Sequence, residues 1–197
     1  MNRFIIDKTP EAIAQQLCDQ HICKMVLEEA QMLCTAVWFH RPDIHAQLEL
    51  YKPCHINTKY HEQNKAVVES GREELKVTGH PCTLWALKTR INYRFAVRLM
   101  KAMNDEYIWR YPIRSDRTVN TGHKSMRHFD ALVEAEKYVP DLHNFTTPHP
   151  QCFSGHDQLK TNEEWPIVAY RRFYRVDKMS FARYDKGRLM PQWMKGD

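Results

Sequence analysis

One stretch near the N-terminus, residues 19–29, combines side chains that carry out proton-transfer and imine chemistry. His21, Lys24 and Glu28 follow one another at steps of three and four residues. At 100° per residue, Glu28 lies only about 20° around a helix axis from His21, with Lys24 between them, and Gln31 continues the stripe. A base, an amine and an acid on one rigid element suit acid–base or covalent catalysis. The alternative is a solvated helix face with a Lys24–Glu28 pair.

The charge of the chain is unevenly distributed. The net charge is +5, but residues 1–80 carry 9 basic and 11 acidic groups, whereas residues 81–197 carry 20 and 13. A basic second part indicates a polyanionic partner, with nucleic acid as the first choice. The alternative is a protein that is merely basic.

A basic ridge and a basic loop are candidate phosphate contacts. The ridge consists of four cations at helical steps of 4, 4 and 3: Arg90, Arg94, Arg98 and Lys101. Like charges at these spacings repel unless an acidic ligand, or acids on a neighbouring helix, compensate for them. His123 and Lys124 stand where a loop enters a helix, so they could form an anion site or an ordinary capped helix start.

Aromatic and basic residues alternate near the C-terminus, in the run Tyr170-Arg171-Arg172-Phe173-Tyr174. Rings that stack on bases and guanidinium groups that bind phosphates are typical of nucleic-acid contacts. An aromatic stripe at these spacings could equally belong to the core.

Composition limits the remaining function classes. The chain has 197 residues, six glycines and six cysteines, with no Cys-x-x-Cys pair, no membrane-length apolar run and no signal-peptide pattern. We therefore expect reduced thiols and a cytoplasmic protein without a membrane partner. Cys54-His55 and His80-Pro81-Cys82 could supply metal ligands, but neither is completed by a second pair at zinc spacing, so no metal and no cofactor is predicted.

The periodicity predicts a mainly α-helical, single-domain fold with at most a short N-terminal strand at residues 3–6. Helices are expected near residues 9–17, 19–39, 83–109, 123–138 and 166–184, with a helical turn near 66–76. The second helix carries a core-facing apolar stripe formed by Ile22, Val26, Ala30, Leu33 and Val37.

Three of these patches resemble the small phage pyrimidine-dimer DNA glycosylases of the endonuclease V type. Asp19-Gln20-His21 followed by Glu28 is similar in order and spacing to that family's Asp-Gln-His motif and catalytic glutamate. His80 precedes a long helix, and residues 170–174 resemble the family's Trp-Tyr-Lys-Tyr-Tyr segment. The chain is also similar to uncharacterised phage proteins with an Asp-Lys-His-x-x-Lys-Met motif.

The resemblance implies a helical enzyme that kinks DNA, flips a base and attacks the deoxyribose C1′ with an amine. Residues 1–110 would correspond to the glycosylase core, and residues 111–197 would be a basic extension packed on it. Glu28 would be the catalytic carboxylate and His21 would orient it or the DNA. The amine of Met1, or Lys24 in its place, would be the nucleophile.

The sequence therefore predicts a monomeric DNA glycosylase with AP-lyase activity on a damaged or modified duplex. The predicted DNA contacts are Arg3, Gln31, His80, Arg90, Arg94, Arg98, Lys101, His123, Lys124, Tyr170, Arg171, Arg172 and Tyr174. Two alternatives remain open. One is an enzyme that acts on a modified nucleobase or nucleotide without strand cleavage, and the other is a non-catalytic phage protein that binds nucleic acid or inhibits a host factor.

Overall fold

The computed structural model describes residues 2–54, 56, 58–62, 65–66, 79–142 and 145–195. Within these ranges the chain forms eight α-helices, and its β-structure is limited to two isolated bridges. The helices are α1 (Pro10–Gln16), α2 (Asp19–His40), α3 (Pro42–Gln47), α4 (Pro81–Lys88), α5 (Arg90–Arg110), α6 (Phe129–Ala135), α7 (Ile167–Lys178) and α8 (Gln192–Lys195). The predicted mainly helical fold is confirmed. Met1, His55 and nearly all of the predicted turn at 66–76 lie outside the described residues.

Helix α2 is the central element of the fold. Its predicted apolar stripe is confirmed, since all five members are fully buried. The helix packs against α3, α4, α5 and α6, while α1 packs against α5. Because α2 is fixed on several sides, the side chains on its remaining face are held by a rigid support.

Helices α1 and α2 are separate, and local capping explains where each begins. The Thr9 hydroxyl accepts a hydrogen bond from the Ala12 amide at 3.2 Å, and Pro10 occupies the first helical position. Leu17 and Cys18 are then extended, with ψ of 146° and 162°. This break turns the start of α2 toward the C-terminal part of the chain, where the Asp19 amide donates to the carbonyl of Arg183 at 2.9 Å.

The single long helix predicted for residues 83–109 is wrong, because the chain breaks at Thr89. Thr89 is extended, with φ of −141° and ψ of 152°, and its hydroxyl accepts from the Asn92 amide at 3.2 Å. The Arg90 amide donates to the Pro140 carbonyl at 2.7 Å instead of continuing the α4 ladder. A buried threonine that can cap a helix therefore starts α5 as a new element.

The other predicted elements differ mainly in extent. Residues 124–138 form a 3₁₀ turn, α6 and a second 3₁₀ turn, and the C-terminal helix ends at Lys178 instead of near residue 184. Residues 3–6 are buried, but they form no ladder with any described segment. The predicted N-terminal strand is therefore absent from the described chain, and side-chain contacts hold this segment in place.

Candidate active site around Glu28 and the N-terminal segment

The carboxylate of Glu28 lies between an exposed amine and the N-terminal segment. Its Oε1 atom is 3.0 Å from Nζ of Lys24, and the Glu28 side chain is 10% exposed whereas that of Lys24 is 66% exposed. Oε2 of Glu28 accepts a hydrogen bond from the backbone N–H of Asn2 at 3.3 Å. The predicted i, i+4 pair therefore exists, but its acid is nearly buried and contacts a residue distant in sequence.

Arg3 fixes the N-terminal segment against the core. Its guanidinium forms a buried ion pair with Glu29 and donates to the Cys82 carbonyl at 3.3 Å. It also lies 5.0 Å from the centre of the Trp85 ring. Because the Arg3 side chain is fully enclosed, the predicted phosphate contact by Arg3 is wrong. Its role in this structure is to hold Asn2 beside Glu28.

His21 is a buried, neutral part of the support. Its ring stacks on Phe4 at 4.8 Å between ring centres, and its Nδ1 atom is 2.7 Å from the Tyr174 hydroxyl. Burial, together with the nearby charges of Lys178 and Lys24, lowers the pKa of His21 to about 3. The Tyr174 hydroxyl also accepts from the backbone amide of Cys18 at 3.0 Å, which fixes its position beside His21.

Asp19 and Gln20 hold the C-terminal segment to the start of α2. Asp19 accepts from Arg110 at 2.9 Å and from the Asp185 amide at 2.7 Å. The Gln20 side chain accepts from the Arg183 amide at 3.0 Å. These first two residues of the Asp-Gln-His patch therefore position the start of α2 against Arg110 and the C-terminal segment.

Four carboxylates, three on other elements and one on α5 itself, neutralise the basic ridge of α5, so the predicted ridge of uncompensated cations is wrong. Each cation has a carboxylate partner within 3.3 Å, in the pairs Arg90–Asp141, Arg94–Glu136, Arg98–Glu11 and Lys101–Asp105. The alternative of compensation by neighbouring acids explains the spacing.

The aromatic–basic run of α7 is divided between the core and the surface. Tyr170 and Tyr174 are fully buried, so their predicted stacking on DNA bases is wrong. Arg171 pairs with Asp7 at 3.0 Å. Arg172 is exposed and has no charged partner among the described residues, so it remains available for a phosphate.

The loop before residue 124 forms an ordinary capped turn. The His123 ring accepts from the Ser125 amide at 3.1 Å, and the turn that follows is a 3₁₀ segment of five residues. The helix-end anion site predicted here is therefore wrong. Lys124 itself is exposed and lines an open pocket of about 360 Å³ together with Arg114 and Asp116.

A larger pocket of about 530 Å³ is lined in part by Asn2. Its polar lining includes Asn2, His80, Cys152, Asp177 and Lys178, of which sequence reasoning identified only His80. The half-buried His80 ring accepts from the Cys82 amide at 3.2 Å and so caps α4. No local pattern marks Lys178 or Cys152, because their proximity to Asn2 comes entirely from tertiary packing.

The structure thus places Lys24 and Asn2 against Glu28, with His21 on the same helix. Met1 itself lies outside the described residues. Gln31 is partly exposed one turn beyond Glu28. Comparisons with protein-family models, with curated proteins and with solved structures found no match for this chain. Among the described helices, none combines the length and apolar character required to cross a bilayer.

Proposed function

We propose that this protein is a DNA base-excision enzyme, a glycosylase with an associated lyase step, whose catalytic carboxylate is Glu28. The observation that carries the proposal is the environment of this group. A nearly buried carboxylate accepts from the Asn2 amide on one side and pairs with the Lys24 amine on the other. An acid held between two nitrogen donors, one of them adjacent to the chain's first residue, suits an amine-dependent reaction at a sugar carbon.

In the proposed reaction, the amine lone pair forms a bond to C1′ while the glycosidic electron pair leaves with the base. The attacking nitrogen loses a proton, the departing base gains one, and the sugar ring then opens to an imine. Glu28 would stabilise the positive charge that develops on the sugar and carry protons between these atoms. The nucleophile would be the α-amine of Met1 or Nζ of Lys24, and an α-amine suits the step because its usual pKa is near 8.

Two exposed cations without a charged partner among the described residues, Lys124 and Arg172, are the proposed phosphate contacts. The +7 balance of residues 81–197 supports a polyanionic partner. Because the cations of the α5 ridge already pair with carboxylates, non-specific binding of DNA should depend on a small number of phosphate contacts.

Borohydride trapping on an abasic or damaged duplex tests the proposal. We expect a covalent protein–DNA adduct with the native chain, and Glu28→Gln should lower the rate of adduct formation by about 100-fold or more while folding is retained. Lys24→Ala, compared with selective acetylation of the α-amine, identifies the nucleophile. Lys8→Ala, which removes another exposed lysine near the N-terminus, is the matched control and should trap normally.

A second candidate is an enzyme that acts on a modified nucleobase or nucleotide without cutting DNA. It is favoured by the pocket beside Asn2, since about 530 Å³ lies within the range of small-molecule sites, and by the pairing of the α5 cations. This candidate predicts release of a modified base, or conversion of a free nucleotide, in the absence of a trapped adduct. A normal rate in folded Glu28→Gln would show that Glu28 is not the catalytic carboxylate, whereas DNA binding with neither an adduct nor a released base would support the non-catalytic binding protein.

A further inference from the structure

Three ligand-type side chains from distant parts of the chain meet at the wall of the pocket beside Asn2. His80 and Cys82 flank the first residue of α4, and Cys152 reaches them from the irregular segment before α7. One ligand atom from each side chain lies within 4.8 Å of the other two. From this geometry we propose that His80, Cys82 and Cys152 bind a zinc ion whose fourth coordination position faces the pocket.

The separation of the two sulfurs fits a tetrahedral metal site. With zinc–sulfur bonds of about 2.3 Å, two thiolates of one tetrahedron lie roughly 3.8 Å apart. The Sγ atoms of Cys82 and Cys152 are 3.6 Å apart. A disulfide requires a much shorter distance, about 2.05 Å. Two thiolates and an imidazole are the donor set that zinc prefers.

The N-terminal segment holds the backbone of both cysteines in place. The Cys82 carbonyl accepts from Arg3, whose own position is fixed by Glu29. The Asn2 side chain donates to the Cys152 carbonyl at 2.8 Å. Because these backbone positions are already fixed, less conformational entropy is lost when the ligands are ordered around a metal. This preorganisation favours metal affinity.

His80 needs one ring nitrogen with a lone pair directed at the metal. Its Nδ1 atom accepts from the Cys82 amide at 3.2 Å, which is the long end of the normal hydrogen-bond range. Coordination through Nδ1 would exchange this contact for the metal bond. Coordination through Nε2 would move the ring proton to Nδ1, which could then no longer accept from the Cys82 amide, so this hydrogen bond is given up in either case.

The arrangement of the ligands relative to the pocket indicates an open site. Cys82 is completely buried, whereas His80 and Cys152 line the pocket together with Asn2. Three protein ligands with a fourth position facing a pocket are typical of catalytic zinc, whereas structural zinc is enclosed by four protein ligands. A water bound there would be activated toward hydroxide, and a substrate carbonyl or phosphate oxygen could replace it. This chemistry is independent of the amine proposed to act with Glu28.

Cobalt titration of the protein under reducing, metal-free conditions tests the ligand set. We expect one equivalent of Co²⁺ to produce the intense visible bands of a tetrahedral complex with near-ultraviolet thiolate charge transfer, and Zn²⁺ to abolish them. Cys152→Ser and His80→Ala should weaken binding by at least about 100-fold. Cys54→Ser, which removes the thiol of the other Cys–His pair in the sequence, is the matched control and should bind normally. Circular dichroism checks the fold of each variant.

The result that overturns the proposal is a folded, reduced native protein without the tetrahedral cobalt spectrum, or a spectrum lost with Cys54→Ser and kept with Cys152→Ser. Ready formation of a Cys82–Cys152 disulfide in air, without metal uptake by the reduced protein, would assign the pair to redox chemistry instead. Addition of azide tests the fourth position. A shift of the visible bands is expected for an open site, and unchanged bands would show that the site is closed.

Discussion

The two consecutive glutamates of α2 should respond very differently to the same substitution. Glu29 forms a buried ion pair with Arg3, and both side chains are completely inaccessible. Burial alone lowers the pKa of Arg3, but attraction and hydrogen bonding by Glu29 raise it above its usual value, so Arg3 stays charged. Glu29→Gln keeps the size of the side chain and removes its charge, which leaves a buried guanidinium without compensation.

Loss of one partner from a buried ion pair costs about 3–5 kcal/mol of unfolding free energy. For a chain of this size each kcal/mol lowers the Tm by about 2–4 °C, so Glu29→Gln should lower it by roughly 6–20 °C. Glu28→Gln is the matched control, because Glu28 pairs with the largely exposed Lys24. Its loss should stay below about 1 kcal/mol. Urea unfolding, with the denaturant slope compared between variants, measures both values.

A rescue variant separates the charge effect from general disruption of the core. Arg3→Met combined with Glu29→Leu removes both charges at similar volume and should recover most of the stability lost in Glu29→Gln. Equal losses in the two glutamine variants, or a loss below about 1 kcal/mol in Glu29→Gln, would refute the assignment of Glu29 to the core and Glu28 to the site.

Two further predictions concern titration and DNA contact. The pKa of His21 is lowered from 6.5 to about 3, mainly by burial, so between these values the unfolded chain binds a proton that the folded chain does not. Stability should therefore fall on acidification through this window, by up to about 1.4 kcal/mol per pH unit from this group, and His21→Gln should flatten the slope measured by denaturation. For duplex binding, Arg172→Ala should reduce the salt slope of log K by about 0.9, whereas Arg94→Ala, whose guanidinium already pairs with Glu136, should leave it unchanged.

Capping residues and apolar periodicity predict the helices because both patterns are contained within a few neighbouring residues. Thr9-Pro10 marks the start of α1, and the apolar stripe of α2 fixes which face is buried. The same type of signal explains the failure at residue 89. A threonine inside an apolar periodic pattern predicts a continuous helix, but the hydroxyl of Thr89 caps α5. The periodicity persists on both sides of the break and therefore does not reveal it.

The charged residues could not be assigned from the sequence because their partners are distant. Arg3 and Glu29 are 26 positions apart, and the acids that pair with Arg90 and Arg94 lie more than 40 positions away. A basic ridge has the same spacing whether phosphates or carboxylates face it. Tyr170 and Tyr174 likewise have a spacing that fits either a stacking surface or a core, and burial decides for the core.

His21, Lys24 and Glu28 could be predicted together because they share one helix, whereas tertiary packing brings Asn2 and Cys152 to the site. The backbone N–H of Asn2 donates to Glu28, while its side chain donates to the Cys152 carbonyl and lies 3.8 Å from the Cys82 sulfur. A single residue therefore contacts both the carboxylate and the thiol pair. Any movement of the N-terminal segment would change both environments together, and the buried Arg3–Glu29 pair next to Asn2 opposes such movement. This coupling gives a structural reason for placing a buried ion pair directly behind the candidate active site.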